Sequence, residues 1–489
     1  MKIAAKLRIL LKAEQICFMA YCSIVCIFLF PDLAFGQDST YTFNINLQGS
    51  ASTASTPFWL HANTNASVPL NGSFVAGQVG IFRKYNSYNP RILQWSAGAE
   101  IVTYTGIKND IFFSDLYAAV KLGPIELSIG QRKEHVGLSD SVLSSGPIAL
   151  GNNARPFPKI HLFTPRFVNI IPGSDIIAVN LSYSDGILGP AAVQYGNVNE
   201  VSRIYLHQKS MYARLGGENW LLNFFAGFNH QAIWGGEDKI FSGGLKRSKA
   251  YEYVVFGKPW LRSRVGNHFG TIDLAVELKT NTGNFFLYRQ SIYEDGSLVN
   301  FSNIADGLNG LRFKRKNTDP ADRSFKINTA LIEFLYTKNQ GGAIFDYDAG
   351  IFGNDNYFNH YVYKQGWSYR GRSLGTPLIS SQTLTRENLQ KDPSGFTNNN
   401  RVAAFHTGIN ASWKNCNILF KGTYSKNYGS YNIPFTTPLS QTSFLLALEK
   451  TVSFWKKSIV SLSIASDIGQ LYPNNSAVSV GWKKSGFIR

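Results

Sequence analysis

The residues best suited to chemistry in this sequence are aromatic rings and cations crowded into one short segment. Residues 361–372 (YVYKQGWSYRGR) hold four aromatic side chains and three cations. Aromatic faces pack on the apolar faces of sugars, and Arg binds carboxylates in bidentate fashion. We therefore predict an acidic-glycan site that includes Trp367, Tyr369, Arg370 and Arg372. The alternative is an aromatic girdle whose cations contact lipopolysaccharide phosphates.

A second candidate glycan site lies in a proline-rich stretch further upstream. Arg155 and Lys159 flank Phe157, which again combines cations with an apolar ring. The alternative interpretation is a structural plug that satisfies its own polar groups, and we favour it here.

Catalytic and metal-binding patterns are sparse. The eight histidines are scattered without an HxxxH or HExxH pair, and no GxSxG motif occurs. We predict that the protein is not an enzyme and has neither a cofactor nor a metal. Asp346, Asp348 and Asp355 carry oxygen ligands that suit calcium. The alternative is a polar lumen face next to a loop, and we favour that explanation.

The elements that position these residues are predicted from a repeated alternation of apolar with polar or small residues. It runs through Leu93–Ile101, Ile177–Tyr183, Ile272–Leu278 and Val460–Ile468. A period of two indicates β-strands with one apolar face. The segments are about 8–11 residues long, which suits transmembrane strands. Several carry an aromatic residue near one end, including Tyr104, Tyr288 and Trp413, as the aromatic girdles of outer-membrane barrels do.

The composition narrows the fold class further. The chain has 489 residues, of which 44% are hydrophobic, 14% aromatic and only 16% charged. Many aromatics with few charges exclude disorder and coiled coil. A polytopic helical membrane protein is excluded because no long apolar run follows residue 30. The remaining candidates are a β-sandwich array and a closed barrel. We predict an all-β, transmembrane antiparallel β-barrel of about 16–18 strands, because no linker divides the chain and lipid tolerates no open sheet edge.

The first 36 residues are predicted to be a secretory signal peptide. A basic start precedes a 15-residue apolar core, Ile16–Phe30, and Ala34-Phe35-Gly36 supplies small residues for cleavage before Gln37. The remaining residues, 37–489, form a single barrel domain in this interpretation. The leader contains four basic and two acidic residues, so the net charge of +17 falls to +15. We expect the protein in the outer membrane of a Gram-negative bacterium, without a nucleic-acid partner.

Three stretches interrupt the alternation, near residues 135–175, 291–325 and 353–400. They are rich in Pro, in charge, or in Asn, Gly, Tyr and Arg. We predict that they are long loop insertions that occlude the lumen.

Several short motifs, in their order and spacing, give the chain a resemblance to the Wzi-type capsule-assembly outer-membrane proteins. The motifs are Pro57-Phe58-Trp59-Leu60, Leu143-Ser144-Ser145-Gly146, Gly151-Asn152-Asn153-Ala154-Arg155-Pro156, Trp234-Gly235-Gly236, Gly266-Asn267-His268, Gly366-Trp367-Ser368-Tyr369 and Gly375-Thr376-Pro377. The resemblance implies an 18-stranded barrel with a blocked lumen. It also implies a non-enzymatic role in holding or assembling capsular polysaccharide. Two features depart from the family. The helical periodicity of its plugging bundle is missing, and the chain ends on Arg489 rather than an aromatic residue.

The expected partners are an acidic capsular or surface polysaccharide, outer-membrane lipids and lipopolysaccharide, and the chain is expected to be a monomer. The positive charge also suits a diffusion channel for anionic solutes, which is the alternative function. Conductance separates the two, because a plugged barrel conducts little.

Overall fold

The computed structural model describes residues 40–86, 91–260, 263–294, 302–316, 323–346, 348–351, 353–453 and 458–488. The predicted signal peptide lies outside the described residues. Within these ranges, no helix combines the length and the apolar character needed to cross a bilayer.

The described chain folds into one closed antiparallel sheet. Its strands are β1 (Tyr41–Ser52), β2 (Phe74–Arg83), β3 (Leu93–Gly106), β4 (Asp110–Leu122), β5 (Ile125–Gln131), β6 (Lys159–Phe163, continued by Val168–Asn169), β7 (Ile177–Ala192), β8 (Glu200–Leu215), β9 (Leu222–Trp234), β10 (Asn267–Lys279), β11 (Gly283–Glu294), β12 (Gly307–Arg315), β13 (Lys326–Tyr336), β14 (Val402–Trp413), β15 (Cys416–Gly429), β16 (Pro434–Val452), β17 (Ser458–Gly469) and β18 (Asn475–Phe487). The two pieces of β6 pair with the same strand, β7, so they count as one interrupted strand. The described residues therefore form 18 strands, at the upper end of the predicted range.

The barrel closes between its first and last strands. β1 pairs with β2 on one side and with β18 on the other, where Thr42 lies opposite Phe487 and Ser52 opposite Ala477. Closure pairs the two edges that would otherwise expose backbone groups to lipid.

The alternation in the sequence is confirmed as an inside–outside pattern. On β3, Trp95 and Ile101 are exposed on the outer surface, whereas Ser96 and Glu100 are buried inside the barrel. On β17, Leu462 and Ile464 face outwards in the same way. An apolar outer face suits acyl chains, and polar residues line the lumen. The girdle prediction is wrong for Tyr288, which is buried and donates a hydrogen bond to the Glu333 carboxylate.

The two ends of the barrel differ. Connections such as residues 123–124 and 414–415, at the end where the chain begins and ends, are short. The opposite end carries long loops, which we name loop A (residues 53–73), loop B (132–158), loop C (235–266) and loop D (337–401). Outer-membrane barrels expose their long loops to the outside and their short turns to the periplasm. We therefore call the end with loops A to D the outer end and the end with the short turns the periplasmic end.

The predicted loop insertions need two corrections. The stretch 135–175 was predicted as loop but contains both pieces of β6, and 291–325 contains β12. The alternation in β6 is too short to detect, because each piece has five residues or fewer. In β12, Arg312 and Lys314 occupy lumen positions. Cations so close together in sequence are more typical of a loop than of a strand, which hid β12. Residues 353–400 contain only one short hairpin and a single 3₁₀ turn within the described part.

Helices are few and short among the described residues. They are α1 (Phe58–His61) in loop A, and α2 (Glu237–Ile240) and α3 (Arg247–Phe256) in loop C. Loop C packs against the outside of the wall, where Ala250 and Val254 of α3 join Ala232 and Trp234 in a small apolar cluster. The other three named loops enter the lumen, and most of the apolar core lies there.

Candidate functional site

Two of the predicted glycan-binding residues are buried by the loops themselves. Trp367 has no exposed surface, and its indole nitrogen donates to the Ala149 carbonyl at 2.6 Å, which joins loop D to loop B. Arg372 is 6% exposed and donates to the carbonyls of His61 at 2.9 Å and of Val68, both in loop A. Burial lowers the pKa of Arg372 to about 10. These contacts make the two side chains part of the packing between loops.

The other two residues of that segment lie nearer the surface. Ser368–Tyr369 and Arg372–Ser373 form a two-stranded hairpin, and Arg370 occupies its turn with a φ of +52°. Arg370 is exposed, whereas Tyr369 is half-buried and packs edge-on against Phe157, with ring centroids 5.9 Å apart. The Phe157–Tyr369 contact brings the two predicted clusters together.

Arg155 and Lys159 of the second predicted cluster are both paired with carboxylates. Arg155 contacts Asp110 at 2.5 Å and covers the Phe112 ring at 3.9 Å. Lys159 is buried and forms an ion pair with Glu134. The glycan-binding role of all six residues stays a prediction. Trp367 and Arg372 have the geometry of plug residues, and Lys159, at the start of β6, pairs the wall with Glu134 of loop B.

Loop A is fastened to the barrel wall through the Phe58-Trp59 motif. The backbone N–H of Phe58 donates to Asp467 at 2.8 Å, and the Trp59 indole donates to the Thr423 hydroxyl at 3.0 Å. The Phe58 ring also stacks on Tyr472 at 5.7 Å. Both hydrogen bonds end on buried polar groups of the lumen wall, so the motif needs polar lumen residues at fixed positions.

Loop B is fastened to the neighbouring part of the wall, on β13 and β14, through the Leu143–Gly146 motif. The Ser144 hydroxyl and the Ser145 N–H each donate to the Glu333 carboxylate at 2.7 Å. The Leu143 carbonyl lies 2.7 Å from His406 Nε2. A side chain at Gly408 would start 2.8 Å from Leu143 Cβ, so glycine permits this close approach.

The described loops therefore occlude the outer half of the lumen, as predicted. Loops B and D also hydrogen-bond to each other, from Gly151 N–H to the Leu374 carbonyl at 2.7 Å. Side chains such as Ile148, Phe358 and Trp367 are wholly buried between them. The described part of the plug consists of irregular loops with one α-helical turn, α1, one 3₁₀ turn and one short hairpin.

An aromatic row on the outer surface is the arrangement best suited to bind a ligand. It consists of Tyr361, Tyr195, Phe241 and Trp260, with successive ring centroids 5.9, 6.4 and 5.3 Å apart. Tyr195 and Tyr361 are exposed by 62% and 54% of their surface. The exposed Lys364 lies three residues after Tyr361 in the sequence. We call this set the aromatic row.

Backbone contacts hold the aromatic row in place. Val193 pairs with Tyr363 in an isolated bridge, which sets Tyr195 beside Tyr361. Asn197 N–H donates to the Ile240 carbonyl at 2.8 Å, which fixes the 193–199 turn to loop C. Beneath the row, burial lowers the pKa of His360 to about 3, so its ring is neutral where it contacts Tyr361.

Rings in a row, two of them exposed and two half-buried, with hydroxyl groups and a cation beside them, can bind the successive apolar faces of a polysaccharide. Sequence reasoning included Tyr361 in its aromatic segment but missed Tyr195, Phe241 and Trp260. Each of these comes from a different stretch of sequence with no motif around it, and only the fold brings them together.

The acidic residues considered for calcium have local structural roles. Asp346 accepts hydrogen bonds from the N–H groups of Asp348 and Ala349, both at 3.0 Å, and so caps a turn. In the described parts of the chain, no group of three or more His, Cys, Asp or Glu side chains is arranged to hold a metal ion.

Comparison with known proteins gives one family and one fold. The family described as "Capsule assembly protein Wzi" matches residues 35–382. Among solved structures, Wzi of Escherichia coli superposes with a TM-score of 0.56 at 14% identity, over 90% of this chain and 84% of that one. It is described as an outer membrane protein involved in group 1 capsule assembly and a carbohydrate binding β-barrel. OccAB4 of Acinetobacter baumannii gives a TM-score of 0.46 at 10% identity, over 92% of this chain and 99% of that one. No curated protein sequence matches the chain.

Proposed function

Because this chain belongs to the Wzi capsule assembly family, we propose that it binds acidic polysaccharide at the cell surface and supports capsule assembly without catalysis. The observation that carries this proposal is the aromatic row at the outer end of an occluded barrel. A plugged lumen suits a surface receptor better than a solute channel.

The proposed binding mode follows from the chemistry of the row. Tyr195 and Tyr361 offer exposed faces to sugar rings, while Lys364 and Arg370, both exposed on loop D, offer charge to carboxylates. Tyr combines a flat apolar surface with a hydroxyl, so a neighbouring sugar hydroxyl gains a hydrogen-bond partner. In this proposal Trp367 and Arg372 act indirectly, by holding the hairpin that presents Tyr369 and Arg370.

The proposal includes a setting in the cell. We expect the mature protein, after removal of residues 1–36, to reside as a monomer in the outer membrane of a Gram-negative bacterium. Its apolar outer face would contact lipid and lipopolysaccharide.

Capsule retention tests the proposal directly. A strain that lacks the gene is complemented with the wild-type gene or with the Tyr195→Ala/Tyr361→Ala variant, and uronic acid is measured in the cell-bound and medium fractions. Loss of two stacking rings should weaken binding of the isolated capsule polysaccharide about tenfold or more, and capsule should shift to the medium.

The matched control is the Trp220→Ala/Trp413→Ala variant, which removes two exposed rings at the periplasmic end. It should retain capsule like the wild type. Equal retention by the Tyr variant and the wild type would refute the role of the aromatic row.

A further inference from the structure

A cavity lies inside the barrel beneath the plug. Its volume is about 340 Å³, at the lower end of the range for small-molecule sites. Its wall residues, among them Ser128, Asn180 and Tyr212, belong to the periplasmic halves of β5, β7 and β8. Residues 132–138 of loop B form its roof.

The roof exists because β5 is short. The chain leaves the wall after Gln131, half-way up β4, since Gln131 pairs with Leu116. It then crosses the lumen, where a side chain at Gly137 would start 3.0 Å from Gln290 on β11 and 3.5 Å from the Tyr212 hydroxyl. With loops A, B and D filling the space above, the cavity is accessible from the periplasmic side.

The lining combines rings, amides and charges. His161 stacks on Phe163 with centroids 4.1 Å apart, and its Nε2 lies 2.8 Å from the Ser182 hydroxyl. Phe167 adds a second ring. Amide and hydroxyl groups come from Asn180, Ser182, Gln208 and Asn229. Apolar rings beside planar hydrogen-bonding groups suit a sugar more than an apolar ligand.

The cations of the lining are the groups that could meet an anion, although each has a carboxylate partner. Arg132 is 37% exposed and pairs with Glu126 at 2.7 Å, whereas Lys133 is 32% exposed and pairs with Glu100 and with Asp115 at 3.7 Å, and Lys159 pairs with Glu134. A guanidinium carries five N–H donors, so Arg132 keeps donors that Glu126 does not occupy.

The periplasmic rim around the cavity is also basic. Its described, exposed cations include Lys84, Arg91, Arg166, Lys316, Arg323 and Lys414. Among the described residues, carboxylates are fewer there; they include Asp175, Glu218 and Glu449, of which Glu449 is paired with Lys483 at 2.5 Å. A mouth lined by one sign of charge concentrates ligands of the opposite sign.

We infer that this cavity is a second carbohydrate site, which binds an acidic sugar residue arriving from the periplasm. The inference rests on the proposed function for the nature of the ligand, but the site is separate from the aromatic row. The sugar ring would lie against Phe163 and Phe167, and its carboxylate would meet Arg132.

Saturation-transfer NMR on the full-length mature protein tests the inference. Glucuronic acid and glucose are the probes, and an amine-oxide detergent is used because sugar-based detergents would compete. The Ser128→Trp variant fills the cavity, and Leu127→Trp, its neighbour on the exposed outer face, is the matched control. We expect a stronger signal for glucuronic acid than for glucose, reduced about tenfold in Ser128→Trp and unchanged in Leu127→Trp.

A second variant keeps the inference testable if Ser128→Trp fails to fold, as judged by heat-dependent gel migration. Arg132→Gln should abolish the preference for glucuronic acid over glucose. Absence of a glucuronic acid signal in the wild type, or its persistence in Ser128→Trp, would overturn the inference, as would an unchanged preference in Arg132→Gln.

The Tyr195→Ala/Tyr361→Ala variant separates the two sites. If the cavity binds, that variant keeps the glucuronic acid signal even when it releases capsule. A signal lost in that variant but kept in Ser128→Trp would assign binding to the aromatic row and refute the cavity site.

Discussion

At the scale of single residues, Arg372 shows how a cation serves the plug. Its guanidinium is buried and donates to two backbone carbonyls of loop A. None of its described hydrogen bonds goes to a carboxylate. A charged donor suits buried carbonyls, because hydrogen bonds to charged groups are the stronger ones.

Replacement of Arg372 should therefore loosen the plug. Arg372→Ala removes the Arg372 donor from the Val68 carbonyl and leaves the His61 carbonyl with the Thr64 hydroxyl, which costs about 1–3 kcal/mol, and loop A should detach more often from loop D. Planar-bilayer recordings should then show current flickers that the wild type lacks. The exposed Arg370 of the same hairpin is the control, since Arg370→Ala removes no buried contact. A quiet Arg372→Ala barrel with wild-type thermal stability would contradict this role.

The residue scale also limits what the sequence can predict. The segment with Trp367, Tyr369, Arg370 and Arg372 was recognised as unusual because its composition is local. Its burial was not predictable, because the partners Ala149 and His61 lie over 200 residues away in sequence. Tyr195 carried no signal of its own, since one exposed Tyr in a turn is unremarkable until a fold sets Tyr361 beside it.

At the scale of elements, loop C forms a strap over the outer wall. Asp185 shares the outward side of β7 with Leu181 and Tyr183, yet it is polar. The strap explains this exception, because the Tyr251 hydroxyl of α3 donates to Asp185 at 2.6 Å, and His207 Nδ1 lies 2.9 Å from the same carboxylate. Without the strap these groups would face lipid, where an unpaired charge is costly.

The packing of the strap against the wall should consequently depend on the Asp185 carboxylate. In Asp185→Asn the charge that pairs with Tyr251 and His207 is lost, so α3 should leave the wall more readily. Trypsin should then cleave after its exposed basic residues Arg247 and Lys249 at least about tenfold faster. The control is Asp238→Asn, an exposed carboxylate on the same loop. Equal cleavage rates in the two variants would show that the apolar cluster alone holds the strap.

The elements differ in how far the sequence predicts them. Strands such as β3 and β17 were predicted because lipid outside and polar groups inside impose a strict period of two. β6 and β12 were missed, since one is interrupted after five residues and the other carries cations into the lumen. α3 was missed as well, because its ten residues pack on the wall with little more than Ala250 and Val254.

At the scale of the whole molecule, the barrel separates two chemically different ends. Long loops fill the outer half and present the aromatic row, while the described part of the periplasmic end is basic and lined by short turns. Closure makes the wall independent of the plug, because β1 and β18 pair along their length without any contribution from the loops. The plug is thus an addition to a self-sufficient cylinder.

Removal of loop D should for that reason convert the protein into a channel. Gln340 Nε2 donates to the Asn400 carbonyl at 3.2 Å, so a short Gly/Ser linker in place of residues 342–398 can join β13 to β14 without strain. The lumen would lose the side chains that pack around Trp367, and planar bilayers should show a steady conductance. The basic periplasmic rim should make that conductance anion-selective, because rings of cations favour anions in a pore.

Loop C provides the matched control for this deletion. Replacement of residues 238–263 by a linker removes a loop from the outside of the wall and joins the paired ends of β9 and β10, where Ile233 lies opposite Asn267. That variant should stay closed, because Ile240 is the one described residue of the deleted range that belongs to the buried main apolar core. If the wild type already conducts as steadily as the loop D deletion, the plug does not seal the barrel, and the anion channel becomes the better interpretation of the positive charge.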